Sequence, residues 1–276
     1  MGAQRITDAL LSAVRRRGLG LIAYVMAGHP QVGSTVALIP ALAEAGADVV
    51  EVGVPFSDPV AEGPVIQKAT FSALQRGVTL PLCLDMVRTV RCAGCTVPVL
   101  LMGYYNPFLA YGVERCVRDA AQAGVDGLIV ADLPPEEAGP LREVCVAYNV
   151  ALVPLVAPTS TDERIAMACQ GASGFVYCVS VTGTTGARET LSAEVPSLVE
   201  RVRRYTRLPV AVGFGISRPE HLGALRGVAD AAVVGSALVQ ALETAPLGEE
   251  VRVGRDVILR LLAGRDAPRP VDRRPP

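Results

Sequence analysis

Glu51 and Glu62 are the two residues whose type and spacing best suit them to chemistry. They bracket the segment EVGVPFSDPVAEGP, residues 51–64. An apolar run at 47–50 delivers Glu51 to an inward-facing strand position. A Pro-punctuated loop carrying Ser57, Asp58 and Glu62 then follows. Two carboxylates around a strand end, in so apolar a context, suit general acid–base work, because burial can move one of them toward neutrality. The plainer reading is a buried acid satisfied by backbone donors beside an ordinary polar loop, since unusual carboxylates mark sites only loosely. The chain holds two histidines, His29 and His221. Metal sites rich in histidine and histidine relays are therefore poorly supported, and proton transfer falls to carboxylates.

A second signal lies later in the chain. Glycine-rich stretches at 182–186 (TGTTG), 213–217 (GFGIS) and 235–236 (GS) each follow an apolar run. Glycine lets backbone N–H groups approach an anion closely, and a helix starting at Ser236 would aim its positive end at the same place. One such loop alone is a tight turn. Three in succession match the phosphate-binding end of an α/β barrel, so the expected ligand is a small phosphorylated metabolite.

The elements that must position these groups alternate along the chain. Apolar runs of strand type occupy 18–28, 49–54, 97–105, 126–131, 151–156, 175–181, 209–214 and 231–234. Helical spacing occupies 36–45, 64–75, 80–90, 113–123, 136–148, 162–169, 193–205, 219–225, 237–242 and 251–263, after an amphipathic opening helix. Eight strands, each followed by helix, predict a parallel sheet closed into a TIM (β/α)8 barrel. An extra N-terminal helix and an insertion after the second strand fit inside a single domain, 1–265. A competing doubly wound sheet lacks its opening strand–GxGxxG–helix unit. The repeated A-G-(A/V)-D signal at 45–48 and 123–126 marks helix-to-strand turns at the barrel bottom. Residues 266–276 (DAPRPVDRRPP) read as a disordered tail. Chemistry in such a barrel sits at the C-terminal strand ends. There the sequence places Tyr24, Met26, Glu51, Met102, Tyr104, Asn106, Asp132, Tyr177 and Phe214.

Composition removes other classes. The net charge is −1 with no basic stripe, which argues against nucleic acid as a partner. No apolar run reaches the roughly 18–20 uninterrupted residues of a membrane span. The basic cluster Arg15–Arg17 follows the first apolar residues, the reverse of a signal peptide; it reads as a solvated helix end, and the expected location is cytoplasmic. Seven cysteines, most of them in apolar or helical runs, suggest reduced thiols, with the Cys92/Cys95 pair incidental and no metal expected.

The motifs EVGVPFSDPVAEGP (51–64), LMGYYNPF (101–108), VADLPPEEA (130–138), VTGTTGAR (181–188), VGFGIS (212–217) and VVGSALV (233–239) resemble those of the tryptophan synthase alpha subunit family, in that family's order. The resemblance runs from about residue 6 to about residue 262. It implies cofactor-free retro-aldol cleavage of indole-3-glycerol phosphate to indole and glyceraldehyde 3-phosphate. Glu51 matches the acid–base glutamate, and Tyr177 the strand-six tyrosine beside it. Tyr24, Met102, Ala131 and Phe214 match the indole pocket; Gly186, Gly215, Gly235 and Ser236 match the phosphate cradle. The loops at Asp58–Pro59 and Asn106–Pro107 resemble those that meet a beta subunit. An α2β2 complex is implied, with pyridoxal phosphate on the partner alone.

This chain departs from the family at Glu62, where the usual residue is aspartate. The longer arm adds roughly 1.5 Å of reach to a carboxylate meant to accept the indole N–H. A shifted loop, a slower enzyme or an altered pocket would each accommodate it. Two other functions share the fold: a stand-alone indole-3-glycerol phosphate lyase of specialised metabolism, and a weakly catalytic activator of a beta subunit. A Schiff-base aldolase is disfavoured, because the single lysine, Lys68, lies in a predicted helix.

Overall fold

The structure is a computed structural model that describes residues 2–179, 194–213 and 215–263. Phe214, Gly186 and the tail at 266–276 lie outside the described residues. Nine strand segments are present among them: β1 (Gly20–Met26), β2 (Val49–Gly53), β3 (Val99–Gly103), β4 (Gly127–Val130), β5 (Ala151–Val153), β6 (Leu155–Val156), β7 (Val176–Val179), β8 (Val210–Gly213) and β9 (Ala231–Val234). All pair in parallel, in the order β5-β4-β3-β2-β1-β9-β8-β7-β6. The two ends of that order are consecutive in the chain and separated only by Pro154. The sheet therefore closes on itself as a (β/α)8 barrel.

The expected single strand at 151–156 is split because proline has no N–H to give the ladder. Its carbonyl still accepts the Tyr177 N–H at 3.0 Å. The strands read as near-continuous apolar runs because both faces are covered, and β1 to β4 are buried at every position.

The barrel bottom is closed by the opening helix Gly2–Arg17, which packs on β1, β2 and β5 and buries Ile6, Leu10 and Ala13. The two A-G-(A/V)-D turns work as expected there. Gly46 and Gly124 take positive φ, +111° and +86°, just past their helices. The aspartates that follow accept backbone N–H groups: Asp48 from Leu21 and Asp126 from Val99, both at 2.9 Å. Asp48 also pairs with Arg17, so the basic cluster is more than the solvated helix end expected of it. Asp126, 1% exposed, pairs with Arg5 at 2.6 Å and Arg91 at 2.8 Å. Asp126→Ala leaves both guanidinium groups and the Val99 N–H without this partner. It is expected to cost about 3–5 kcal/mol, measured by urea unfolding.

The largest departure in the top loops follows β3. The strand expected at 97–105 stops at Gly103, and residues 105–111 form the helix Tyr105–Tyr111. Pro107 is tolerated because it falls in the first turn, whose N–H groups have no intrahelical acceptor. Asn106 and Pro107 are thus carried on a short helix.

Candidate active site

Register places the key side chains at one level of the barrel mouth. Tyr24 on β1 lies beside Glu51 on β2, and Tyr177 on β7 lies beside Ala211 on β8. Both tyrosines need a missing side chain next door. A Cβ on Gly53 would collide with the Tyr24 hydroxyl, and one on Gly213 with the Tyr177 hydroxyl.

Glu62 reaches the same point from the loop that precedes helix Pro64–Gln75, with Gly63 as the extended N-cap and Pro64 at the first helical position. Tyr24, Glu51, Glu62 and Tyr177 line one cavity of about 510 Å³, the solvent at its open mouth included. Glu51 is 1% exposed and Glu62 8%. One carboxylate oxygen of Glu51, Oε2, has no hydrogen-bond partner among the described residues. Burial, reinforced by the charge of Glu62, pushes Glu51 up to about 8. Burial also pushes Glu62 up to about 7, against the opposing pull of a hydrogen bond from Tyr104. Tyr24 and Tyr177 are raised by burial and by the two carboxylates, so both stay protonated donors.

The cavity is also lined by two glycine-containing turns. Gly235 and Ser236, Ala237, Gly215, Ile216 and Ser217 line it. Gly235 caps helix Ser236–Glu243 without any side-chain hydrogen bond, which leaves the first N–H groups of that helix for an anion. Gly215 holds φ at +95°, a conformation glycine adopts without strain. Paired carboxylates and an uncapped helix N-terminus on one cavity suit an anionic ligand that undergoes proton transfer.

A model of the family described as "Tryptophan synthase alpha chain" matches residues 11–260. The tryptophan synthase alpha chain of Roseiflexus sp. (strain RS-1) is 49% identical over 92% of this chain and 97% of its own length. The chain belongs to the tryptophan synthase alpha chain family. A protein of Saccharomyces cerevisiae named tryptophan synthase is 43% identical over 95% of this chain, which spans 37% of that longer protein. Among solved structures, tryptophan synthase of Mycobacterium tuberculosis superposes with a TM-score of 0.86 at 39% identity, covering 94% of this chain and 97% of that one. The alpha subunit from Legionella pneumophila str. Paris gives 0.84 at 35% identity, covering 95% and 98%.

Within this alpha-chain barrel the expected site residues fall into distinct groups. Glu51, Glu62, Tyr24, Tyr177, Met102, Gly215, Gly235 and Ser236 share the cavity. Ala131 does not line it. Ala131 lines a neighbouring hollow of about 990 Å³ that also includes Ala61 and Met102, so Met102 is a wall common to both. Asp58 and Pro59 lie on a separate surface hollow with Phe56, Val60 and Phe71. Val60 is 79% exposed and Phe71 64%, an apolar patch beside the loop expected to meet a partner.

Lys68 is outward, its ammonium 2.6 Å from Glu243, and takes no part in the cavity. No group of three or more potential metal ligands occurs among the described residues. No helix among them is long and apolar enough to cross a membrane.

Sequence reasoning did not assign Tyr104, Ile66 or Ala237 to the site. Tyr104 stood out only as a strand-end tyrosine. Its hydroxyl accepts the Ala61 N–H at 2.9 Å and donates to Glu62 Oε1 at 3.4 Å, across 42 positions of sequence.

Proposed function

We propose that this chain is the alpha subunit of a tryptophan synthase and cleaves indole-3-glycerol phosphate to indole and glyceraldehyde 3-phosphate. Family membership carries the class, a carbon–carbon lyase of tryptophan biosynthesis. The observation that carries the reaction is the placing of two buried carboxylates and an uncapped helix N-terminus on one cavity. With both acids raised toward neutrality, the pair can hold one proton between them near pH 7.

Protonated Glu51 delivers that proton to the indole ring carbon bonded to the glycerol chain, which produces a cationic indolenine. Ionised Glu62 accepts the ring N–H and stabilises the cation as it forms. Glu51, now ionised, takes the proton of the C3′ hydroxyl. The C–C bond breaks, its electron pair returns to the ring, and the aldehyde carbonyl forms. Tyr177 and Tyr24 bound the reacting end, with Met102 and Phe214 against the indole and Ala131 beyond Met102. Gly186, Gly215, Gly235 and Ser236 hold the phosphate.

No cofactor enters this scheme; pyridoxal phosphate belongs to the partner. That partner is a beta subunit in an α2β2 complex, met through Asp58, Pro59, Asn106 and Pro107. The longer yeast protein, which carries this chain's counterpart within 37% of its length, supports a functional tie to a further unit. The setting is the cytoplasm, and residues 1–265 act as one lyase domain.

The test is indole release from indole-3-glycerol phosphate by the purified chain, with and without a beta subunit. Slow release that the partner accelerates is the expected result. Fast release by the chain alone would point to a free-standing lyase, and no release in either case would overturn the substrate.

A further inference from the structure

We infer that Tyr104 is a positioning residue that fixes Glu62 and decides which carboxylate of the pair holds the proton. The inference rests on the roles proposed above for Glu51 and Glu62. Tyr104 is buried at the end of β3, and its ring packs on Phe56 with centroids 5.3 Å apart. Its hydroxyl oxygen is occupied by the Ala61 N–H at 2.9 Å, which leaves its one proton to donate. The acceptor is Glu62 Oε1 at 3.4 Å, long for O–H···O but the one side-chain partner of that proton among the described residues.

Tyr104 therefore grips the acid loop twice, by the backbone of Ala61 and by the carboxylate of the next residue. That double hold restrains the additional rotatable bond that glutamate brings where the family's usual residue is aspartate.

The same geometry divides the pair. The ionisable groups facing Glu62 are Glu51 on β2, Tyr24 on β1, Tyr177 on β7 and Tyr104 on β3, with Asp132 beyond Tyr104. Of these, Tyr104 is the one hydrogen-bonded to the Glu62 carboxylate among the described residues. A donor favours the charged form of a carboxylate. Glu51 Oε2 has no donor among the described residues. The shared proton consequently rests on Glu51, the acid, and the negative charge on Glu62, opposite the ring N–H.

The test is the pH profile of kcat/KM for Tyr104→Phe, assayed with the beta subunit present. Loss of the donor is expected to lower kcat about tenfold at pH 7, to leave KM within about twofold, and to move the acid limb upward by about one unit. In a Glu62→Asp background, where the carboxylate is withdrawn from the hydroxyl, adding Tyr104→Phe should change kcat much less. A slower variant whose acid limb has not moved, or full additivity with Glu62→Asp, would reduce Tyr104 to a packing residue and overturn the inference. The underlying roles are checked separately by Glu62→Gln. If that variant stays fully active, the reading of Glu62 fails; if it is inactive while the Tyr104→Phe limb stays put, only the inference fails.

Discussion

Glu51→Gln is expected to lower indole formation by at least about 1,000-fold while making the protein more stable to heat at alkaline pH. The first half follows from dual use, since one carboxylate both gives and takes the proton, and general acid–base groups contribute about 100- to 10,000-fold. Glutamine keeps the shape and can do neither. The second half follows from linkage. Glu51 is raised from its usual 4.5 to about 8, first by burial and then by Glu62. A carboxyl whose folded pKa lies above its unfolded value stabilises the fold fully below the unfolded value. That contribution is lost as pH rises through the folded value. Wild-type stability should therefore decline between about pH 4.5 and pH 8 on account of this residue. The neutral variant escapes that decline. Thermal unfolding at pH 5 and pH 9 reads the difference: similar midpoints at the lower pH, and the variant higher by about 5 °C at the upper. Loss of activity without alkaline stabilisation would mean that Glu51 is not a buried acid of raised affinity for protons.

Such a pairing of lost function with gained stability is what a working site in a dry barrel mouth should show. Among the described residues one oxygen of Glu51 has no partner, and the role proposed for Glu51 gives a reason for the fold to tolerate it. Asp126 at the opposite end of the barrel is equally buried, yet it has two arginines and a backbone N–H. Both are buried acids by sequence context, and partners alone separate the functional one from the structural one.

That contrast also explains how much could be read in advance. The barrel was legible because apolar strand runs and glycine-ended helices recur at a local spacing that needs no tertiary knowledge. That Glu51, Glu62, Gly235 and Ser236 share one cavity was legible because a strand-end acid, a Pro-rich loop and a glycine before a helix are local features tied to fixed ends of that barrel. Pro154 sat inside an unbroken apolar run, and only the pairing of β5 and β6 with different neighbours exposes the break. Helix Tyr105–Tyr111 was hidden by Pro107, whose first-turn position cannot be told from a loop without the helix end in view. Ala131 lines a hollow that shares Met102 with the carboxylate cavity, a neighbour relation across strands that local pattern does not carry. Tyr104 escaped because its partner is 42 positions away. Local pattern names the strand ends; the cross-barrel contacts that couple them are tertiary.

Glu62 is where the family resemblance of the 51–64 motif leads one to expect aspartate, and two substitutions there should separate charge from reach. Glu62→Gln keeps the length and removes the charge, so the indolenine forms without its counterion. Turnover should fall about 100- to 1,000-fold, the size of effect seen when one preorganised electrostatic group is removed. Glu62→Asp restores the family's usual residue and shortens the arm by roughly 1.5 Å. A shorter arm would rescue an ill-fitting site, but here it should slow turnover about tenfold, because a displacement of about 1 Å can cost as much as 100-fold. The reason lies in the loop backbone. The Ala61 N–H is held by Tyr104 at 2.9 Å and helix Pro64–Gln75 starts two residues after Glu62, so the backbone on either side of the carboxylate is anchored. An anchored loop cannot advance to make good the lost methylene. Steady-state indole formation by both variants, with the beta subunit present, decides the matter. If Glu62→Asp turned over faster than the natural chain, the glutamate would be a liability that the loop merely endures. If it is slower, loop and side chain are matched, and the departure from aspartate belongs to a working site of altered geometry.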